Sequence, residues 1–380
     1  MERFVSERFS NGDQNLVTIR VDSKFRQPTN LVLIDEIPIQ FQKRDFQIKK
    51  ALQAGETAEF SYWLRPVRRG YFHFGDLHCW VTSRIGFIKR HYRQPQHQKV
   101  AVYPSFHRLA NIELLSFAEM KNQMGLKRIR QLGYNREFEQ VKDYSPGDEI
   151  RHINWRATAR KNRLMVNQFQ DEKSQSVYCV IDMGRTMEMP FEGMSLLDYA
   201  INASLALSQI VMKNDDKAGL ITYNSSVHSL LPAEKSNQRM NQLMELLFAQ
   251  TTNFGESYLD PVYTAIRRKI NQRSLLIFFI NFESVHSIRR LLPLFIRLSK
   301  LHLVLLVNFL NTEIEAIATD EADNLEGVYR KVVANEMLNE KRIFLNELSK
   351  YGIYTLYEPP QHIGIQTINK YLAIKSRGLI

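Results

Sequence analysis

The chain has 380 residues, 44% hydrophobic and 24% charged, a balance that excludes a disordered chain and suits a folded protein of two domains. Lys and Arg number 51 against 40 Asp and Glu, a net charge of +11, and residues 121–170 alone hold eleven basic and five acidic side chains. That bias suits nucleic acid, anionic lipid or an acidic protein, or nothing more specific than a basic pI.

No apolar run approaches the roughly 20 residues of a membrane helix, and Met1-Glu2-Arg3-Phe4-Val5 holds no signal-peptide core. Two cysteines, Cys79 and Cys179, are too few for a disulfide framework or a zinc cluster; each sits in an apolar strand-like run as a small buried thiol.

In chain order, residues 16–21, 31–34, 59–64, 71–74, 77–82 and 99–103 are β-branched or aromatic and partly alternating, which predicts strands. Turn signals separate them: Asn11-Gly12-Asp13, Ala54-Gly55-Glu56 and Arg69-Gly70. No amphipathic helix interrupts the run, so residues 1–105 read as a small antiparallel β-sandwich domain. Residues 106–175 are polar, basic and turn-rich, and read as a connecting segment.

From residue 176 the rhythm changes. Residues 177–182, 218–223, 274–281, 301–309 and 353–357 are near-continuous apolar runs, suited to strands buried on both faces. Between them the pattern predicts helices over 196–213, 237–248, 258–271, 285–300 and 335–350. The first sets Leu197, Ile201, Leu205, Ser208 and Met212 on one side. Strand and helix in alternation imply an α/β domain over 176–380, a doubly wound parallel sheet.

In such a sheet ligands sit beyond the carboxyl ends of the strands. The first of these ends reads Val180-Ile181-Asp182-Met183-Gly184-Arg185-Thr186, an Asp followed at two-residue spacing by small or hydroxyl residues. Oxygens aimed at one point in this way suit a hard divalent cation. The run resembles the metal-ion-dependent adhesion site of von Willebrand factor A domains, which has Asp-x-Ser-x-Ser in its first loop, a Thr in the second and an Asp in the third. Asp182 matches the Asp, Thr186 replaces the second Ser, Ser257 stands for the Thr and Asn281 for the third-loop Asp. Gly184 removes a hydroxyl and Asn281 a charge. The resemblance therefore implies a degenerate site with weak affinity for Mg2+ or Mn2+. Asp182 capping the next helix or bonding backbone amides is the alternative.

A second constellation spans residues 137–160. Pro146-Gly147 fits a type II turn, Asp148 lies three residues before Arg151 at ion-pair spacing, Trp155 offers a large anchor, and Arg160 adds a second fork of donors. These residues form either a loop stapled by ion pairs and a buried Trp or a partner-binding surface.

The run Glu137-Phe138, Tyr144-Ser145-Pro146-Gly147-Asp148, Arg151-His152-Ile153-Asn154-Trp155 and Ala159-Arg160 resembles the pattern of the bacterial family called domain of unknown function 58. Upstream, Arg68-Arg69-Gly70 with its following aromatics is similar to that family's Arg-Arg-Gly element. The resemblance implies a von Willebrand-like half after the motif, and Tyr144, Gly147, Asp148, Arg151, Asn154, Trp155 and Arg160 as its motif residues. It also implies membrane helices ahead of the β domain, so a membrane role requires helices outside this chain; the expected location is the cytoplasm, at the inner face of the membrane where such helices exist. Family genes neighbour MoxR-type AAA+ ATPases, which implies a protein-binding or scaffold role beside such an ATPase.

Two other functions compete with this one. A metal-dependent hydrolase would use Asp182 with Glu188 and Glu256, but the sequence lacks a Gly-rich Lys-Ser/Thr phosphate loop, His-Glu-x-x-His and Gly-x-Ser-x-Gly. Nucleic-acid binding would use Tyr134, Phe138, Tyr144 and Trp155 among the basic residues of 121–170, but Glu137, Glu139, Asp143, Asp148 and Glu149 there repel phosphates. The expectation is a binding module and not an enzyme.

Overall fold

The computed structural model describes residues 1–43, 45–83, 86–105, 137–145, 148, 150, 153–170, 174–252, 255–282, 285–320 and 324–379. The N-terminal region holds β1 (Glu2–Val5), β2 (Arg8–Ser10), β3 (Asn15–Asp22), β4 (Thr29–Asp35), β5 (Ile48–Leu52), β6 (Thr57–Leu64), β7 (Gly70–Phe74), β8 (Leu77–Ser83), β9 (Lys89–Gln94) and β10 (Gln98–Tyr103). They form three small sheets, β1-β3-β6, β2-β10-β7 and β5-β4-β8-β9.

Strict alternation builds the inner face. β6 buries Ala58, Phe60, Tyr62 and Leu64 and exposes the residues between them, while β3 buries Val17, Ile19 and Val21. Inner faces of all three sheets share one core with Leu33, Phe74, Cys79 and Val100. Within it Arg3 is fully buried against Asp35, whose second oxygen accepts the Tyr62 hydroxyl at 2.5 Å. Gly75 and Gln96 carbonyls take further Arg3 donors, which makes this burial tolerable. Pairing is antiparallel as expected, except that β2 runs parallel to β10.

The stretch expected to be a connecting segment contains regular structure. β11 (Glu137–Asp143) pairs antiparallel with β12 (Met165–Gln170), and the helix Trp155–Lys161 lies between them. Asn154 caps that helix by accepting the Ala157 amide, and the Thr158 hydroxyl accepts the Met165 amide, tying helix to strand.

The C-terminal region adds β13 (Ser176–Asp182), the short hairpin β14 (Pro190–Phe191) and β15 (Met194–Ser195), then β16 (Lys217–Tyr223), β17 (Val227–Glu234), β18 (Leu275–Phe279), β19 (Leu303–Phe309) and β20 (Ile353–Glu358). The main sheet runs β17-β16-β13-β18-β19-β20. Its central strands are buried almost throughout, which explains their continuous apolar runs. One side packs against the helices Leu196–Lys213 and Ile363–Ser376, the other against Leu259–Lys269, Val285–Ser299 and Leu325–Leu348.

The expected all-parallel sheet needs correction. β17 is antiparallel to β16, so the sheet is mixed. Three residues, Asn224-Ser225-Ser226, separate the two strands, too few for a parallel crossover. The helix expected over 335–350 instead begins at Leu325, because the Asn324 side chain caps it. The helices Thr312–Thr319 and Ile363–Ser376 are not among those the sequence pattern predicts. Among the described residues no helix is long and apolar enough to cross a membrane.

Candidate functional site

Strand order reverses between β13 and β18, because the first strand of the sheet lies inside it and later strands are added on both sides. The crevice beyond the carboxyl ends at such a point is where open α/β sheets bind ligands. Asp182 ends β13 there, 3% exposed.

Three loops are laced together at this rim. The Met183 amide donates to the Tyr223 carbonyl at 2.8 Å, Arg185 to Gly255 at 3.0 Å, and Tyr258 to Asn224 at 2.9 Å. They bring Ser257 onto Asp182: its hydroxyl donates to Oδ1 in a short hydrogen bond, and the Gly184 amide donates to the same oxygen at 2.8 Å. Asn281, beyond β18, donates its side-chain amide to the Thr186 carbonyl at 3.1 Å. Asp182, Thr186, Ser257 and Asn281 therefore lie on one rim.

Gly184 has a steric reason. A Cβ there would come 2.1 Å from the Ser257 Oγ and 3.2 Å from the Asp182 carboxylate. The hydroxyl missing from position 184 is replaced in space by that of Ser257. Asn281 also does something an Asp cannot, since it donates to a carbonyl that a carboxylate would repel.

Burial pushes the Asp182 carboxyl above the ordinary range, opposed by the hydrogen bonds from Ser257 and Gly184. Tyr223, 1% exposed on the neighbouring strand, has its hydroxyl driven far up by burial and by the Asp182 charge. Tyr223 and Asn224 are not among the residues the sequence singles out, although Tyr223 ends an apolar run as Asp182 does and Asn224 follows it. Asn224 folds its loop by accepting the Ser226 amide and bonding His228, which sets the carbonyl that holds Tyr258.

As a ligand set the rim offers one carboxylate, hydroxyls and a neutral amide. Mg2+ and Mn2+ prefer several oxygen donors with more than one charge, so these residues fit a divalent ion poorly. Among the described residues no group of three or more His, Cys, Asp or Glu could hold a metal. Glu188 and Glu256, the carboxylates considered for hydrolysis, join no such group.

The second constellation lies on the unit of β11, β12 and the intervening helix. Tyr144 joins it through its amide, donated to the Leu164 carbonyl at 2.8 Å. Asp148 pairs with Lys142 at 2.9 Å and accepts the Ser145 amide, which keeps its carboxyl below the usual range. The expected partner Arg151, like Gly147 and all of 121–136 with Tyr134, lies outside the described residues. Asn154 is the helix cap and also donates to Asn167 at 2.9 Å. Arg160 is exposed in the last turn. Trp155 is not the buried staple the sequence allowed: as the first helical residue it is 68% exposed.

A family model described as "Protein of unknown function DUF58" matches residues 140–312, which include most of the β11–β12 unit and the Asp182 rim. The chain is 23% identical to Uncharacterized protein YeaD of Bacillus subtilis (strain 168) over 70% of its length and 64% of the relative's. It is 21% identical to Uncharacterized protein Rv1480 of Mycobacterium tuberculosis over 37% of this chain and 44% of that one. The chain thus spans less than two thirds of the length of these relatives. A solved structure of the conserved hypothetical protein BatB from Bacteroides thetaiotaomicron aligns with 54% of the chain and 100% of its own at 13% identity, with a TM-score of 0.36.

Proposed function

We propose that the C-terminal region is a von Willebrand factor A-like module with a degenerate metal-ion-dependent adhesion site, and that the protein binds a protein partner without catalysing a reaction. The observation that carries this reading is the convergence of Asp182, Ser257 and Asn281 on one rim where the strand order reverses. The antiparallel edge strand next to otherwise parallel strands supports it as well.

The chemistry of the rim favours binding over turnover. Ser257 donates its hydroxyl to a carboxylate, a base too weak to make an alkoxide from an alcohol, and the described residues put no histidine on that hydroxyl. With one charge and an amide in place of a second, the rim holds Mg2+ or Mn2+ weakly. Calorimetric titration is expected to give no constant tighter than millimolar.

The partner proposed is a MoxR-type AAA+ ATPase, on the strength of the motif resemblance. The exposed Trp155 is the anchor proposed for it; a large aromatic on an accessible helix end is the residue type that dominates interfaces. Co-purification with such an ATPase tests this. A stable complex with the parent chain, weakened at least tenfold by Trp155→Ala, is the expected result. Failure to form a complex with or without nucleotide overturns the reading.

A further inference from the structure

A partly open cavity of about 250 Å3 lies next to the Asp182 rim, beyond the carboxyl ends of β18 and β19, and is flanked by the helices Thr312–Thr319 and Leu325–Leu348. Its walls are mostly apolar, with Phe282, Phe309, Leu310 and Met337 among them, and Asn281 connects it to the rim. An apolar cavity of about 150 Å3 is enough to hold a benzene ring. This one therefore has room for a ring and one polar group.

Lys341 lines the cavity and carries that polar group's complement. It is partly buried, and among the described residues no carboxylate lies within ion-pairing distance of it. Its recorded contact is with the Tyr357 ring, whose centroid is 5.4 Å from Nζ. Of the charged groups around it, Glu313 is exposed at the edge of the cavity, and Glu315 is engaged with Arg342 at 3.8 Å. An ammonium held against apolar walls without a counter-ion is costly to the fold and is relieved by an anion. Burial accordingly brings the lysine down to about 8.

We propose that this cavity binds a small organic monocarboxylate with an apolar ring or short chain, its carboxylate paired with Lys341 and its apolar end against Phe282, Phe309 and Met337. The site is distinct from any partner surface at Trp155, and it shares Asn281 with the Asp182 rim.

Benzoate and its neutral isostere benzamide are the probes, titrated into the full chain and followed by backbone amide NMR shifts. Benzoate at pH 7 is expected to bind at least tenfold more tightly than benzamide, with shifts at Asn281, Phe309 and Met337. Raising the pH past 8 deprotonates the ammonium and weakens benzoate while leaving benzamide unchanged. Lys341→Met keeps the length and apolar character of the side chain, so the fold is retained; it is expected to lower benzoate affinity at least tenfold and to leave benzamide unchanged. Lys341→Arg retains the preference for benzoate. Equal binding of the two probes, unchanged benzoate affinity in Lys341→Met, or no shifts with either probe at tens of millimolar overturns the proposal.

Discussion

Asp182 is a carboxylate in surroundings that disfavour its charge, and both hydrogen bonds described for it fall on one oxygen, Oδ1. An asparagine can present the same oxygen to Ser257 and Gly184, so Asp182→Asn keeps both bonds and removes the buried charge. A carboxyl raised in the folded state contributes stability that is complete below its unfolded value and is lost as pH rises through its folded value. Asp182→Asn should therefore raise the melting temperature at pH 7.5, and the gain should vanish near pH 3.5, where both forms are neutral. A lower melting temperature at pH 7.5 would mean that the negative charge itself is stabilised, which implies a cation held at the rim. The position of Asp182 was legible in the sequence because it terminates an apolar run. Ser257, 75 residues away, was placed at the same site only through the adhesion-site resemblance, and its direct hydrogen bond to the carboxylate was not legible. Lys341 escaped notice for a related reason: a lysine on a helix reads as solvated until another element covers it.

The elements best read from the sequence are those whose burial matches one period. The strands 177–182 and 218–223 and the helix 237–248 fall within a residue of their observed bounds, since both faces of the strands and one face of the helix are covered. β17 is not predicted because an edge strand needs no continuous apolar run, and Pro232 sits inside it. The helix Leu325–Leu348 was cut short because its first half exposes Leu325, Tyr329 and Val332, which erases amphipathic contrast. The helix Trp155–Lys161 was hidden by its brevity, and its stability rests on one residue. Asn154 caps it and bridges to Asn167, so Asn154→Ala removes two bonds at once. The expected cost is about 1 kcal/mol, seen as faster amide hydrogen exchange across 155–161 with little change in the main sheet. Unchanged exchange there would show that β11 and β12 hold the helix without its cap.

The whole molecule is joined by a small number of strong contacts between its two large regions. Arg69, of the Arg-Arg-Gly element, donates Nε to Asp198 at 2.6 Å and a second nitrogen to the Leu247 carbonyl, with the Arg69 and Asp198 side chains 7% and 8% exposed. Asn11 donates to the same carboxylate, the Ser105 amide donates to the Asn202 side-chain oxygen, and Tyr103 stacks on Phe248 at 4.5 Å. Asp198 also closes the capping box that starts the helix Leu196–Lys213. One carboxylate thus fixes both the start of a core helix and the seat of the N-terminal region, just after the loop that leaves the Asp182 rim. Breaking such a pair from one side strands a buried charge and costs roughly 3–5 kcal/mol. Arg69→Met should therefore destabilise the chain on that scale and separate its urea transition into two steps, the C-terminal sheet unfolding last. Adding Asp198→Asn removes the stranded charge, so the double variant should regain more than half of the loss. If Arg69→Met leaves a single transition at the parent midpoint, the aromatic contacts at Phe248 are sufficient to couple the regions and the ion pair only sets their register.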